Sequence, residues 1–260
     1  MLVLLPPSEG KTPPRARGPL LDLDSLGAPG LTPLREKVLD ALVELSASPD
    51  AMDVLGVGPS LADEVARNVG LRTAPTAPAK QVYTGVLYAA AGLDRLTPTG
   101  RARAAESVRI VSGLWGLVAP DDRIPAYRLS MGTDLPGIGT LAAAWRGALG
   151  VELEARAEGE LVVDCRSAAY LAAWHPPRSA DWVSVRVLRE LDGARSVVSH
   201  NAKHTRGVLT RHLLTRRGRA PQDAESLARV AGELVGSALL AVELGAPTTR
   251  GARTLELVVA

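Results

Sequence analysis

With 260 residues, 46% of them hydrophobic and 22% charged, the chain has ordinary globular composition and enough length to bury a sizeable core. A net charge of +2 does not announce a nucleic-acid binder, so any such role must rest on where the charges cluster. The one cysteine, Cys165, excludes an intramolecular disulfide and agrees with a reducing compartment.

Aromatic residues are scarce, with four Trp, four Tyr and no Phe, so the core must be built mainly from Leu, Val and Ala. Arg greatly outnumbers Lys, and the lysines stand at Lys11, Lys37, Lys80 and Lys203. In this background a lysine is the more informative cation. The start has no basic segment and only a five-residue apolar run, and the stretch 235–244 is short and broken by Glu243. Neither fits a signal peptide or a membrane span, and the expectation is a cytoplasmic protein.

In chain order, residues 1–5 read as a short buried strand ended by Pro6-Pro7. A loop rich in Pro and Gly follows. Residues 33–46 have helical periodicity, with Leu34, Val38, Leu42 and Leu45 on one face. Residues 52–68 read as helix, glycine turn, helix. A strand is expected at 108–112, a helix at 141–149, a central strand at 161–165 and a helix at 167–174. Two paired strands follow at 183–191 and 195–199, then helices at 205–215 and 223–239, and a closing strand at 254–259. Interspersed strands and helices without a repeat or an obvious linker predict a mixed α/β (α+β) fold in one domain, 1–260.

Four segments carry candidate chemistry. The turn Leu55-Gly56-Val57-Gly58-Pro59 precedes a helical run. Glycines let a backbone approach a phosphate, and amides at a helix start donate to its oxygens. The competing explanation is a tight interhelical turn that needs Gly56 and Gly58 for geometry alone. The segment 199–207, Ser199-His200-Asn201-Ala202-Lys203-His204-Thr205-Arg206-Gly207, leads into a helix bearing Arg211. His200 or Asn201 is placed to cap that helix, and Lys203 and Arg206 share a face. Cations at a helix start are unfavourable for the helix itself, which favours an anion site over a solvated basic turn. Arg128, between Tyr127 and Leu129, is either a structural ion-pair partner or a phosphate fork. Finally, Ser8-Glu9-Gly10-Lys11-Thr12 follows the first strand. It lacks Walker spacing, which rejects a P-loop nucleotidase, but Lys11 is placed at a strand's carboxyl end, where anions bind.

Histidines 200, 204 and 212 are spaced to tempt a metal reading, but no acid or cysteine lies nearby to complete a shell, and no metal or cofactor is expected. Cys165 reads as a small buried hydrophobe.

Several blocks taken together resemble one family. They are the opening strand with Lys11-Thr12, Val82-Tyr83-Thr84-Gly85, Val111 to Gly116 followed by Pro120, Pro125 to Gly132, Trp145, Ser167 with Tyr170, and Ala202-Lys203 with Arg206-Gly207. In order and spacing they are similar to the YaaA peroxide stress family, also called UPF0246 or DUF328, over essentially the full length, with an opening like its actinobacterial branch. The resemblance implies a mixed α/β fold with a basic cleft and a helix-hairpin-helix element, here at 53–69. It implies binding of double-stranded DNA with little sequence preference and protection from iron-driven peroxide damage. The sequence departs from the enterobacterial pattern, which has Ser-Pro-Ala-Lys-Thr where Glu9-Gly10 precede Lys11 here, and aromatic residues in place of His200-Asn201.

Two functions follow. A DNA-binding stress protein would use Gly56, Gly58, Lys11, Arg128, Lys203, Arg206 and Arg211. An enzyme acting on a nucleotide-like small molecule, a nucleoside or a nucleic acid would draw on Glu9, Lys11, Tyr83, Tyr127, Arg128, Ser199 and Lys203 if folding gathers them into a pocket.

Overall fold

Leu2–Leu5 form strand β1, and all four side chains are fully buried. A strand buried on both faces belongs in the interior of a parallel sheet, where neighbours satisfy its backbone on either side. The computed structural model describes residues 1–197, 200–249 and 251–260, with the side chains of His200 and Asn201 left out. Ser199, expected to end a strand and join the candidate enzyme cluster, lies outside the described residues, as do the capping side chains of His200 and Asn201.

Among the described residues the elements run β1, α1 (Thr32–Ser46), α2 (Ala51–Val54), α3 (Ala62–Arg67), β2 (Ala77–Pro78), α4 (Ala79–Val82), α5 (Val86–Ala91) and α6 (Pro98–Ser107). Next come β3 (Val108–Ser112), β4 (Gly116–Val118), β5 (Arg123–Ile124), β6 (Asp134–Leu135), β7 (Gly139–Thr140) and α7 (Leu141–Ala157). The chain finishes with β8 (Leu161–Asp164), α8 (Ala168–Leu171), β9 (Asp181–Leu191), β10 (Ala194–Val197), α9 (His200–Thr215), α10 (Ala224–Gly232), β11 (Ala241–Leu244) and β12 (Arg253–Val259).

The main sheet has the order β11-β12-β9-β8-β1-β3-β4, with β10 added to β9. β1 is parallel to β3 on one side and to β8 on the other, and β8, β9 and β12 continue in parallel. Antiparallel β4 and β11 close the two ends. This is the mixed sheet within one compact α/β structure that the interspersed pattern predicts. The strand order turns outward in both directions from β1, and such a switch point opens a crevice at the carboxyl ends of the strands.

Buried ion and hydrogen-bond partners join the layers. Arg35, fully buried on α1, donates to the carbonyls of Trp115, Gly27 and Leu117 at 2.7–2.9 Å and so ties the helix to β4. Burial lowers its pKa to about 10. Arg166 and Asp164, both with fully buried side chains, form a two-pronged pair at 2.9 and 2.7 Å just beyond β8.

Several boundaries move from the sequence expectation. Helix α7 runs on to Ala157, because Leu149 and Leu153 continue its buried face. The helix expected at 223–239 stops at Gly232; Asp223 and Ser226 form its capping box, and Gly236, at φ 81°, turns the chain back. Helix α9 begins at His200 rather than 205, and α8 is a single turn. The expected helix-turn-helix at 52–68 consists of helices of four and six residues joined through a glycine turn and a 3-10 turn. These pieces do not establish a helix-hairpin-helix. Helix α5 and strand β11 carried no clear periodic signal because both are short.

Helices α5 and α9 pack closely at Gly207, where an added Cβ would lie 2.2 Å from the Leu87 carbonyl oxygen. That atom is backbone and has no rotamer to yield. Gly207→Ala is therefore expected to lower stability by about 1–3 kcal/mol, read as a lower urea midpoint with an unchanged slope.

Candidate anion-binding cleft

The loop leaving β1 is held at two points. Gly85 donates its backbone N–H to Ser8 Oγ at 2.7 Å, and Tyr88 donates its hydroxyl to the Pro6 carbonyl at 2.7 Å. A Cβ at Gly85 would lie 2.3 Å from Ser8 Oγ, so this close approach requires glycine. Further on, the Thr12 N–H donates to the Val82 carbonyl at 2.9 Å. The loop between these ties presents Glu9, Gly10 and Lys11 at the carboxyl end of β1.

A cleft of about 770 Å³ opens there. Lys11, Arg128, Lys203 and Arg206 all line it, together with Glu9 and Gly56. Four cations from positions as far apart as 11 and 206 therefore converge. Each is set by its own element. Arg128 follows β5, and its backbone is gripped by the buried Asn68, whose amide accepts from Arg128 N at 2.8 Å and donates to its carbonyl at 2.9 Å. Arg206, on α9, donates to the Val185 carbonyl of β9 at 2.9 Å. Lys203, one turn earlier, is exposed.

Carboxylates temper this charge. Glu9 lies 3.4 Å from Lys203, and Glu64 lies 3.5 Å from Arg128. The Lys203–Glu9 pair is long and largely exposed, so it is worth a fraction of a kcal/mol, roughly 0–1. A phosphate competes with such a partner readily.

Lys11 stands apart from the other three. Its ammonium lies 4.2 Å from the centre of the Tyr127 ring and 5.8 Å from that of Tyr83, and it donates to the Glu9 carbonyl at 3.3 Å. Burial, and then the nearby Arg128, push its pKa down to about 7, while Glu64 and Glu9 pull upward. The ring faces also favour the charged form. Beneath it, Tyr83 and Tyr127 share a hydrogen bond at 2.9 Å, and the Tyr127 hydroxyl meets Ser112 Oγ at 2.7 Å. Ser112 Oγ in turn accepts from the N–H groups of Leu114 and Trp115.

The two tyrosines proposed for an enzyme pocket therefore do not line the cleft. They are buried floor, and desolvation raises both well above the ordinary phenol range, which suits them to support rather than proton transfer. Tyr170, half-buried after β8, lines the cleft instead; burial raises it to about 12. Its only signal in the sequence was its place beside Ser167 in one matching block.

Two of the proposed phosphate contacts are also displaced. Gly56, at φ 62°, reaches the cleft, but Gly58 is not among its lining residues. Arg211 points away, toward the last carbonyl of α5, Ala91, at 3.4 Å. Among the described residues no three His, Cys, Asp or Glu side chains gather, and His212 pairs with Glu233 at 2.9 Å. Among those residues, too, no helix is long and apolar enough to cross a membrane.

Comparison with known proteins supports the reading of the blocks. The family model described as "Peroxide stress protein YaaA" matches residues 1–232. The chain belongs to the YaaA peroxide stress protein family. It is 48% identical to a UPF0246 protein of Streptomyces coelicolor over 238 residues, 90% of each chain. It is 42% identical to one from Corynebacterium efficiens, covering 94% of this chain and 95% of that one. A UPF0246 protein of Cereibacter sphaeroides is 33% identical over 86% of this chain. YaaA membership supports a role in peroxide stress.

Peroxide chemistry at Cys165 is a separate matter. The thiol is fully buried, and desolvation raises its pKa to about 12. The thiolate is the species that attacks peroxide, so Cys165 is expected to stay reduced when the folded protein is exposed to hydrogen peroxide. Alkylation in denaturant followed by mass spectrometry checks this. For Lys11, an NMR titration of lysines labelled at Cε is expected to show one of the four titrating near pH 7, and that signal is expected to be missing in Lys11→Arg.

Proposed function

We propose that this protein acts in the peroxide stress response by binding duplex DNA through its phosphates, largely without sequence preference. The observation that carries the reading is the convergence of Lys11, Arg128, Lys203 and Arg206 on one cleft. Such contacts neutralise phosphate and ignore base identity, so they attach a protein to DNA without choosing a sequence. The Gly56 turn at the rim, with its exposed backbone and no side chain, supports a close backbone approach. Arg211 and Gly58 are left out of this contact set. Coverage of DNA would limit iron-driven radical damage, and the family's description as a peroxide stress protein supports a role in peroxide stress.

A cleft that also holds carboxylates has a modest net charge, so affinity is expected to be moderate and strongly dependent on salt. Lys203→Ala combined with Arg206→Ala is expected to weaken duplex binding and to flatten the log K against log salt slope by about 2. Fluorescence anisotropy across a salt series reads both quantities; an unchanged slope would place the DNA contacts elsewhere.

A second reading is an enzyme acting on a nucleotide, nucleoside or nucleic acid. The observation that favours it is Lys11, a half-buried amine whose surroundings hold its pKa near neutrality in a cleft with a carboxylate. Groups with such displaced titration concentrate at sites of chemistry.

A further inference from the structure

Of the four lysines in the chain, three are ordinary. Lys37 is exposed on α1, Lys80 is paired with Asp121, and Lys203 is exposed beside Glu9. Lys11 alone is recessed against aromatic faces, near Arg128 and within the same cleft as Glu9, whose exposed carboxylate pairs with Lys203 at 3.4 Å. Burial and the neighbouring Arg128 weigh against its charge, although the ring faces and the nearby carboxylates favour it. An amine that attacks a carbonyl gains directly, because only the neutral form is a nucleophile.

We infer that Lys11 is an imine-forming nucleophile for an open-chain sugar aldehyde bearing phosphate, and that its source is the abasic deoxyribose of damaged DNA. The inference rests on the DNA-binding reading above. Arg128, Lys203 and Arg206 are placed to hold the flanking phosphates while the sugar enters. A deoxyribose without its base has no stacking to lose and leaves the duplex at low cost. A cleft of about 770 Å³ admits a sugar phosphate.

The chemistry balances without an external oxidant. The Lys11 Nζ lone pair attacks the C1′ aldehyde carbon, and the resulting carbinolamine loses water to leave a protonated imine. C2′ then gives a proton to the Glu9 carboxylate, its electron pair forms the C2′–C3′ double bond, and the C3′–O bond breaks with the phosphate departing on its electrons. Water hydrolyses the imine and frees Lys11. With its pKa lowered to about 7 by burial and Arg128, a far larger share of the Lys11 amine is neutral at pH 7 than of an ordinary lysine.

The test incubates the full chain with three probes in the presence of borohydride: a duplex carrying one abasic site, the same duplex intact, and free deoxyribose 5-phosphate. The expected result is a covalent adduct with the abasic duplex that maps to Lys11, is lost in Lys11→Arg and persists in Lys37→Arg. Without borohydride the abasic strand is expected to be cut. Glu9→Gln is expected to slow that cutting by about 100-fold while the trapped adduct still forms. An adduct that maps to Lys203 or survives Lys11→Arg overturns the assignment. Intact duplex binding with no adduct on any probe overturns it too, and leaves the DNA reading standing. An adduct at Lys11 with free deoxyribose 5-phosphate alone, together with no duplex binding, supports the amine and overturns DNA as the source.

Discussion

The constraint on which the rest depends is the complete burial of β1. Four successive side chains out of solvent on both faces mean that the strand's backbone must be paired on both sides, by β3 and β8. Polar chemistry is then shut out of the strand and appears only where the chain emerges. That point is Pro6 onward, and it is where the cleft lies. Pro6 and Pro7 cannot extend the ladder, so they release the loop abruptly. The carboxyl edge of a parallel sheet is a natural crevice, and here it receives contributions from β1, β8, the segment after β5 and helix α9.

Within the cleft, support and contact are divided between buried and exposed groups. The chain Ser112–Tyr127–Tyr83 is hydrogen-bonded and buried, and it forms the floor under Lys11. Asn68 clamps the backbone of Arg128 through both its amide atoms, which fixes where the guanidinium starts. Exposed Lys203 and Glu9 are free to exchange partners. A recessed amine beside exposed rim charges is a different device from a uniformly basic groove. It explains why the net charge of +2 gives so little hint of the site.

The same division separates two roles for the arginines. Arg35 and Arg166 are interior braces whose partners are carbonyls and Asp164, whereas Arg128 and Arg206 line the cleft. Removing a partner from the first kind leaves a buried charge unsatisfied, which costs several kcal/mol. Removing a cation from the second changes what the cleft attracts.

Much was legible in the linear chain because it depends on local chemistry. The apolar run 2–5, the periodicity of 33–46 and the short apolar run at 161–165 mark buried elements directly. Ser8 to Thr12 and the 199–207 segment announced themselves as lysines and turn residues in an arginine-rich background. Local pattern was silent or misleading where long-range packing decides. Tyr83 and Tyr127 are candidates for a pocket in the sequence, but they form its buried floor, with Lys11 lying over their rings. Arg211 belongs to the same basic segment as Lys203 and Arg206, yet helical phase and the packing of α5 turn it away. The helix expected to reach 239 ends at Gly232, where tight turns take over, and Gly236, at φ 81°, turns the chain farther on. What the residues determined by themselves was the set of strands, helices and anion-seeking side chains, since propensity and burial act locally. That Lys11 sits recessed and near neutrality was decided only by the tertiary structure, because desolvation and the field of Arg128 exist only once distant segments meet.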